Sequence, residues 1–386
     1  MDTQVRELIT QIHDAKGQIV LVTAGAGAQA MADLLAVAGA SRTILEALVP
    51  YSKAAFVDFI GQEPDKFVSR KAGMLLAGRA FKRAQQLVNT TVPVVGVSCT
   101  AAIATDRPKK GTHRAHITTW NRERVITAEL TFEKNARDRA GEEAVVSRVI
   151  LNIIARALQI ESQLPLPLTT QDQLNTEAYT FSTVADQLLT NHLPFFAVHA
   201  DGRIRTQNVN PQVLLPGSFN PLHQGHRAMA QAAMTHLGKP IAFEISAFNV
   251  DKPPLARDNL LTRLAQFAGS WPIYLTNAPT FIEKARLFSN TIFVVGFDTA
   301  ERIIAPRYYE GSRAKMLAAF DEMLALGCQF LVAGRVNKKG VFKTVRDLNT
   351  PLGYEALFEP LNNFRLDISS TEIRANRPIT ATLPTE

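Results

Sequence analysis

The regular alternation of short apolar runs with helical stretches between residues 212 and 335 places the strongest constraint on the fold of this chain. Five runs are rich in β-branched residues and lack polar–apolar alternation, as is typical of central parallel strands covered on both faces. They are VLLPG, IAFEISAFNV, WPIYLTN, TIFVVGFD and CQFLVAGR. Helical periodicity marks the segments between them, such as RDNLLTRLAQFAG and RAKMLAAFDEMLALG. The pattern predicts a doubly wound parallel sheet whose ligand lies beyond the carboxyl ends of the strands.

The length of the chain, 386 residues, indicates two domains, because it is about two to three times the usual domain length. Alternating prolines in ESQLPLPLTT follow a long apolar helix and keep the backbone extended. The later stretch FFAVHADGRIRTQ predicts two short strands around a turn. We therefore expect an N-terminal α/β domain at residues 1–162, a linker and hairpin at 163–211, and the doubly wound, Rossmann-like domain at 212–386.

The composition is that of an ordinary globular protein, with 46% hydrophobic and 20% charged residues. No apolar run approaches the roughly 20 residues that a membrane span needs, and MDTQVRELIT lacks the basic start and apolar core of a signal peptide. We therefore expect a cytoplasmic protein without a membrane anchor. Cys99 and Cys328 form no CxxC pair, which favours buried thiols over a disulfide or a structural zinc site.

The positive charge is concentrated in the first half of the chain. Residues 1–160 contain 21 Lys and Arg against 15 Asp and Glu, which gives +6 of the total net charge of +7. Much of this excess lies in TDRPKKGTHRAHITTWNRER, which lacks clustered aromatics and any DNA-binding motif. We expect a solvated loop or a site for a small anion here, and no binding of nucleic acid.

The stretch LLPGSFNPLHQGHRAMAQAA, residues 214–233, predicts a phosphate site. A strand, a loop and a helix follow one another, and the backbone N–H groups at a helix start suit a phosphate. Gly217 would allow the backbone to approach closely, and Gly225 removes a side chain between His223 and His226. The two imidazoles would then donate hydrogen bonds into the same small volume.

Two motifs resemble the nucleotidylyltransferase superfamily, the cytidylyltransferase-like proteins whose signatures are His-x-Gly-His and Ile-Ser-Ser-Thr-x-Ile-Arg. Here they are GSFNPLHQGH at residues 217–226 and ISSTEIR at 368–374. The resemblance covers about residues 212–380. Alone, SSTE would be an ordinary helix capping box and the histidines surface residues or caps. Together, the motifs favour a nucleotide site, because each needs unusual residues at fixed spacing.

The resemblance implies a reaction in which an acceptor phosphate or alcohol attacks the α-phosphorus of a nucleoside triphosphate and pyrophosphate leaves. Such transfer depends on positioning and on neutralising charge, so the useful residues are donors and cations. It implies ATP as a substrate and Mg²⁺ bound mainly through the nucleotide. The implied catalytic residues are His223, His226 and Arg374. The implied nucleotide-binding residues are Gly217, Ser218, Phe219, Asn220, Gly225, Gly296, Asp298, Ser369, Ser370, Thr371 and Lys252.

The weaker positions keep an alternative interpretation. Gly296 and Asp298, in VVGFDTAER, resemble an element near the adenosine of some adenylyltransferases, or form a turn and helix cap. Lys252 could reach the acceptor's phosphate or be a solvated loop residue. Pyridine-mononucleotide adenylyltransferases often have this lysine after a Pro-Pro pair, whereas Lys252 precedes Pro253. Arg263 is either a phosphate partner or a helix surface charge.

The first half, over about residues 1–160, resembles the C-terminal domain of the competence-damage-inducible (CinA) family, which hydrolyses the amide of nicotinamide mononucleotide. The resemblance rests on AGAS, YSKAAF and VSCTAAIATDRPKKGTHRAHI. Thr23 stands at the position of the family's serine, and Phe56 stands at the position of its lysine. The family's tyrosine is retained as Tyr51, and Lys53 is nearby in sequence. Because an amidase needs an activated nucleophile, we expect no amidohydrolase activity. A scaffold, a surface for homo-oligomerisation or a ligand sensor are the alternatives.

These observations favour an adenylyltransferase acting on a small phosphorylated acceptor. The fusion to an amidohydrolase-like half suggests nicotinate or nicotinamide mononucleotide as that acceptor. The alternative is a non-catalytic nucleotide-binding or regulatory protein that retains two ligand sites. The intact motifs of the second half favour the enzyme, and the altered motifs of the first half favour the sensor.

Overall fold

The structure is a computed structural model that describes residues 1–88, 92–107, 110–250, 253–337, 340–362 and 364. The chain divides into two compact units. The first contains Met1–Ala185, Val198–Ile204 and Leu264–Trp271, and the second contains Asp186–Ala197, Arg205–Arg263 and the chain from Pro272 onward. No helix in the described part of the chain combines the length and the apolar character needed to cross a bilayer.

The first unit is built on a six-stranded mixed sheet. Its strands are β1 (Gln18–Ala24), β2 (Ile44–Leu48), β3 (Val94–Ala102), β4 (Arg114–Trp120), β5 (Arg124–Thr131) and β6 (Gln173–Thr180). Its helices are α1 (Thr3–Asp14), α2 (Ala28–Ala36), α3 (Ala40–Thr43), α4 (Lys53–Ile60), α5 (Arg70–Leu87) and α6 (Arg139–Ala157), and α7 (Phe181–Leu189) follows β6. The strand order is β2-β1-β3-β4-β5-β6, with β1, β2 and β3 parallel and the others antiparallel in succession.

Part of the proline-rich segment after α6 is attached to this unit. The backbone of Leu164 exchanges two hydrogen bonds with the side chain of Asn152, N–H to Oδ1 at 2.7 Å and Nδ2–H to the carbonyl at 2.9 Å. The Leu164 side chain joins the hydrophobic core. Further on, β6 pairs with β5 along its whole length. The proline-rich segment therefore supplies a core side chain, and the residues that follow it supply the last strand of the sheet.

The second unit contains the predicted parallel sheet. Its strands are β9 (Val213–Pro216), β10 (Ala242–Ser246), β11 (Ile273–Thr276), β12 (Ile292–Gly296), β13 (Gln329–Ala333) and β16 (Phe358–Leu361), with β7 (Phe195–Val198) and β8 (Ile204–Arg205) at one end. A separate hairpin consists of β14 (Arg335–Val336) and β15 (Phe342–Lys343). The helices are α8 (Gln224–Leu237), α9 (Arg257–Ala265), α10 (Phe281–Leu287), α11 (Phe297–Ile303) and α12 (Arg313–Ala325), with short 3-10 turns at Pro306–Tyr309, Val345–Asp347 and Glu355–Leu357.

The strand order, β16-β13-β12-β9-β10-β11-β7-β8, confirms the doubly wound topology. The chain proceeds from β9 to β10 and β11 on one side, and then returns to add β12, β13 and β16 on the other. In such sheets a crevice opens at the carboxyl ends of the strands where the direction of winding changes. That point lies between β9 and β12, so the loops that follow these two strands flank the crevice.

The sequence did not predict β16, the last strand of the sheet. Its Pro360 cannot donate a hydrogen bond, which argues against a central strand. In the structure β16 is an edge strand that pairs only with β13 among the described residues, so the missing N–H is tolerated.

A buried ion pair joins β10, β11 and α10. Nζ of Lys284 lies 2.5 Å from Oε1 of Glu244, and both side chains are almost completely buried. The same carboxylate oxygen accepts a hydrogen bond from Oγ1 of Thr276 at 2.6 Å, and Nζ also donates to the carbonyl of Ala278 at 2.9 Å. The charges are therefore paired and additionally hydrogen-bonded, which a buried ion pair needs in order to be tolerated.

Replacing Lys284 with Met would leave the Glu244 carboxylate buried without its counter-ion. We expect the free energy of unfolding, measured with urea, to fall by about 3–5 kcal/mol. Removing both charges in Glu244→Met/Lys284→Met should recover most of this loss. The matched control is Arg286→Met on the same helix, which breaks an exposed pair with Glu322 and should change stability little. An equal loss in the single and double variants would contradict the assignment.

Candidate functional site

The loop after β9 is shaped by an aromatic ring beneath it. Phe219 has a positive φ of 41°, and its side chain is 1% exposed. A Cβ on Gly217 would lie 2.6 Å from that ring, while the Gly217 N–H donates to the carbonyl of Glu244 on β10 at 2.9 Å. Glycine is therefore required at position 217 because the Phe219 ring fills the space of a side chain. The neighbour that demands glycine is thus a side chain of the same loop, where the sequence predicted close approach of the backbone to a phosphate.

Phe219 positions one of the two histidines. Its ring meets the imidazole of His226 edge to face, with centroids 4.9 Å apart, and meets Phe243 of β10 in the same way at 5.2 Å. The ring thus connects the core of the sheet to the histidine. We infer that Phe219 acts by positioning His226, since its buried ring offers little surface to a ligand.

The two histidines cap the start of α8 reciprocally. His223 is the N-cap residue, and its Nδ1 accepts a hydrogen bond from the Gly225 N–H at 3.1 Å. Nδ1 of His226 accepts a hydrogen bond from the His223 N–H at 3.3 Å. This is the geometry of a capping box, with imidazoles in the places usually taken by Ser or Thr and by Glu.

The reciprocal cap fixes the tautomer of both rings. A backbone N–H can only donate, so each Nδ1 must be an acceptor without a hydrogen. In a neutral imidazole the hydrogen then resides on Nε2. His223 and His226 therefore each provide an Nε2–H donor, and neither Nδ1 is available for proton transfer while the cap persists.

Both rings are held in the neutral state. Their centroids are 3.7 Å apart in a stacked arrangement, so two positive charges would repel strongly. Burial, together with His223 and Arg227, lowers the pKa of His226 to about 4. Burial and Arg227 also lower the pKa of His223 below its usual range. At neutral pH the pair therefore acts as hydrogen-bond donors and not as cations.

The backbone at the start of α8 is already hydrogen-bonded. The N–H of Gly225 bonds to the His223 side chain, and the N–H groups of His226 and Arg227 donate to the His223 carbonyl at 3.1 and 3.3 Å. The expectation that unpaired N–H groups of the helix would bind phosphate is thus not met for these residues. The N-cap side chain is itself a histidine, so the donors that this helix start offers beyond its backbone are the Nε2–H groups of the imidazoles.

The rest of the loop is more open. Ser218 and Asn220 are exposed, and the Asn220–Pro221 peptide bond is cis. Nη1 of Arg263, on α9, donates to the carbonyl of Ser218 at 3.0 Å. The described structure therefore gives Arg263 a role in holding the loop.

The second predicted element follows β12, the neighbour of β9. Gly296 is the N-cap residue of α11, and Asp298 lies exposed in the first turn of that helix. The Asp298 carboxylate forms an ion pair with Arg335 of β14. Sequence reasoning missed Arg335, because an ion pair between residues 37 positions apart leaves no local signal.

Five predicted site residues lie outside the described residues. They are Lys252, Ser369, Ser370, Thr371 and Arg374. The described structure therefore brings His223 and His226 together and places Gly296 and Asp298 after the adjacent strand.

The first unit has a small cavity of about 190 Å³ at the carboxyl ends of β1 and β3. Tyr51, Lys53 and Phe56 are among the residues that line it. Nζ of Lys53 lies 2.6 Å from the Glu63 carboxylate and 5.7 Å from the ring centroid of Phe67. The cavity is thus lined by the retained tyrosine, by the lysine near it and by Phe56, one of the two substituted positions.

The loop TAGAG after β1 is engaged by groups of the same unit. Thr23 is buried, with Oγ1 3.9 Å from the sulfur of Met31, which is not a base. The carboxylate of Glu143 accepts hydrogen bonds from the N–H groups of Gly27 and Gln29 at 2.9–3.0 Å. A protein carboxylate therefore occupies the start of α2, the position at which a helix preceded by a glycine-rich loop could otherwise bind an anion.

Comparison with known families supports the interpretation of the second unit. Residues 214–376 match the cytidylyltransferase-like family. The match includes both the His223–His226 loop and ISSTEIR, and confirms the resemblance inferred from these motifs. It supports a nucleotidyltransferase-type function for this region. A comparison with curated proteins found no match.

Solved structures of competence-damage proteins are similar to the N-terminal part of the chain. The competence/damage inducible protein CihA from Agrobacterium tumefaciens is 19% identical and has a TM-score of 0.35, over 41% of this chain and 98% of its own. A CinA superfamily protein from Escherichia coli is 14% identical, with a TM-score of 0.30 over 41% and 92%. The competence damage-inducible protein A (ComA) from Klebsiella pneumoniae subsp. pneumoniae MGH 78578 is 13% identical, with a TM-score of 0.32 over 41% and 99%.

Substituting His223 with Asn would separate capping from ligand binding. The Asn side chain can accept the Gly225 N–H as Nδ1 does, and Asn is a preferred N-cap residue, so the free energy of unfolding should stay the same or rise. The Nε2–H donor is lost, and binding of Mg–ATP, measured by calorimetry, should weaken about tenfold. His236→Asn, on the exposed end of the same helix, is the control and should bind normally. Unchanged binding by His223→Asn would contradict the role given to Nε2.

The lowered pKa of His226 predicts a loss of stability in acid. Between pH 6.5 and 4 the unfolded chain binds a proton on this imidazole that the folded protein excludes, so acidification favours unfolding. From pH 7 to pH 5 this residue should reduce the free energy of unfolding by about 1–2 kcal/mol. Urea titrations of the wild type and of His226→Asn at both pH values measure this loss in the free energy of unfolding. The variant should lose correspondingly less stability, and equal losses would show that His226 titrates normally.

Proposed function

We propose that this protein is an adenylyltransferase that transfers AMP from ATP to a small phosphorylated acceptor and releases pyrophosphate. The observation that carries the proposal is the pair of neutral imidazoles, both with Nε2–H donors, next to the point where the winding of the sheet reverses. The pair lies within the region that matches the cytidylyltransferase-like family.

The position of β16 supports a shared site for the two motifs. This strand is parallel to β13, so the chain leaves it at the same edge of the sheet that carries the His223–His226 loop. Three strand spacings, about 14 Å, separate β16 from β9, and α8 also contacts β16. The seven residues from Leu361 to Ile368 can span at most about 25 Å. ISSTEIR can therefore reach the His223–His226 pair.

The residues of this chain would act on the reaction by positioning and by hydrogen bonding. An oxygen of the acceptor phosphate attacks the α-phosphorus, and the bond to the bridging oxygen breaks as pyrophosphate leaves. The Nε2–H groups of His223 and His226 would donate to phosphate oxygens whose negative charge grows in the transition state. The hydroxyls of Ser369, Ser370 and Thr371 and the guanidinium of Arg374 are proposed to bind the β- and γ-phosphates. Mg²⁺, bound through the triphosphate, would neutralise phosphate charge.

We further propose a pyridine mononucleotide, nicotinate or nicotinamide mononucleotide, as the acceptor. The support is the sequence resemblance of the first half to a family that acts on nicotinamide mononucleotide. The geometry of Thr23, whose hydroxyl faces a sulfur, supports a first unit without amidohydrolase activity. Ligand sensing through the cavity lined by Tyr51 and Lys53, or homo-oligomerisation, is the proposed role of that unit.

Pyrophosphate release, measured with Mg²⁺, each nucleoside triphosphate and a panel of phosphorylated acceptors, tests the proposal. We expect turnover with ATP and a pyridine mononucleotide, reduced about 10²- to 10³-fold in His226→Asn. The full-length protein should release no ammonia from nicotinamide mononucleotide. Nucleotide binding without turnover across the panel would instead establish the non-catalytic alternative. Turnover that is unchanged in His226→Asn would remove the histidines from the site.

A further inference from the structure

We propose that Arg227 binds the phosphate chain of the nucleoside triphosphate as a third donor group beside His223 and His226. The identity of the ligand rests on the proposed function, whereas the need for a polyanion at this place rests on the structure of α8. Neither of the motifs considered from the sequence assigns a role to this arginine.

Helix geometry places Arg227 on the same face as both histidines. His226 and Arg227 lie three and four positions after the N-cap residue His223, and side chains at these spacings are neighbours on one face. The face continues through Ala230 and Ala233, both 0% exposed. This is therefore the face of α8 that packs inward. The Arg227 side chain leaves the helix on this inner face, next to the two imidazoles.

The Arg227 guanidinium is only partly satisfied by the protein. Its Nε is buried and has no hydrogen-bond partner among the described residues. Arginine stays charged at any ordinary pH, so this is a buried donor on a cation. Buried polar atoms are nearly always hydrogen-bonded, and an exception calls for an explanation such as a bound ligand. Arg263 on α9 differs, because its Nη1 donates to the Ser218 carbonyl.

The start of α8 also supplies no counter-charge to Arg227. The residue lies at the positive end of the helix dipole, and the first turn of α8 has no acidic residue. Its charge acts on both histidines, since Arg227 contributes to the lowered pKa of each. One bound polyanion would satisfy the donor, offset the charge and accept hydrogen bonds from both Nε2–H groups.

The guanidinium adds a recognition mode that the histidines lack. Nε and a terminal nitrogen of arginine form a planar fork that binds two oxygens of one phosphate, whereas each imidazole donates a single hydrogen bond. The three side chains together suit a ligand with several phosphoryl groups. We therefore assign Arg227 to the triphosphate and not to the base or the ribose.

Calorimetric binding of inorganic triphosphate, Mg–ATP and adenosine to the full chain tests this assignment. Arg227→Met keeps the apolar stem and removes the fork, and Arg227→Lys keeps the charge without it. We expect Arg227→Met to weaken binding of triphosphate and Mg–ATP about 10- to 100-fold while adenosine binding stays unchanged. Arg227→Lys should recover part of the loss. Arg313→Met, at the exposed start of α12, is the matched control and should bind as the wild type does.

The stability of the ligand-free protein separates a binding role from a structural one. Because Nε is unsatisfied, Arg227→Met should be as stable in urea as the wild type, or more stable, and should lose the stabilisation that triphosphate gives the wild type. Triphosphate binding that is unchanged in Arg227→Met would overturn the assignment. A less stable variant with weaker adenosine binding would also overturn it, by showing a structural role.

The outcome for Arg227 can be distinguished from the outcome for the proposed reaction. If the wild type binds triphosphate through Arg227 but releases no pyrophosphate with any acceptor, the transferase proposal fails and the assignment of Arg227 stands. If turnover is observed and Arg227→Met binds and turns over ATP normally, only the assignment of Arg227 fails. A wild type that binds neither triphosphate nor Mg–ATP overturns both.

Discussion

The reciprocal cap between His223 and His226 is the interaction on which the candidate site depends. It uses one nitrogen of each ring to satisfy backbone N–H groups at the start of α8 and leaves the other nitrogen to carry the hydrogen. A single local arrangement therefore fixes the conformation of the helix start and the tautomer of both imidazoles, while burial lowers the pKa of each and keeps the rings neutral. The two histidines could therefore donate hydrogen bonds to a polyanion, as we propose, without adding positive charge of their own.

The topology of the sheet determines the position of the two histidines in the second unit. Because β9 begins the winding in one direction and β12 begins it in the other, the loop with the two histidines and the turn at Gly296 flank one crevice. The ring of Phe219 packs against Phe243 of β10, and the Gly217 N–H donates a hydrogen bond to the carbonyl of Glu244, which is also on β10. The Glu244 side chain is in turn held by the buried Lys284. The site is thus supported from within the core of its own unit.

The first unit also has a loop between a strand and a helix, but the start of that helix is bonded differently. Its loop after β1 also precedes a helix, yet the Glu143 carboxylate takes the helix start where an external anion would bind. A glycine-rich loop before a helix therefore does not suffice for a phosphate site when a protein carboxylate already accepts the N–H groups of the helix start. What distinguishes the second unit is that its capping imidazoles also carry Nε2–H donors, whereas the capping carboxylate of the first unit can only accept.

The periodicity of the sequence determined the fold class of the second unit. The five apolar runs became five parallel strands, since unalternated β-branched runs are stable only when both faces are covered. The fixed spacing of the two motifs indicated the family of this region. The strand β16 was not predicted, because a proline such as Pro360 argues against a strand and is tolerated only where the strand lies at the edge of the sheet. The spacing of the sequence also indicates that Arg227 lies on the same helix face as the histidines, because it is four residues after His223.

Only the tertiary structure decided how the site residues behave. The tautomer of the histidines, the ring of Phe219 that excludes a side chain at position 217, and the capture of the first unit's loop by Glu143 all depend on contacts in three dimensions. Arg335 and Lys284 meet their carboxylate partners across 37 and 40 positions of sequence. The physical reason is that local sequence sets backbone preference and burial, whereas hydrogen-bond partners and pKa values depend on groups that folding brings together from distant positions.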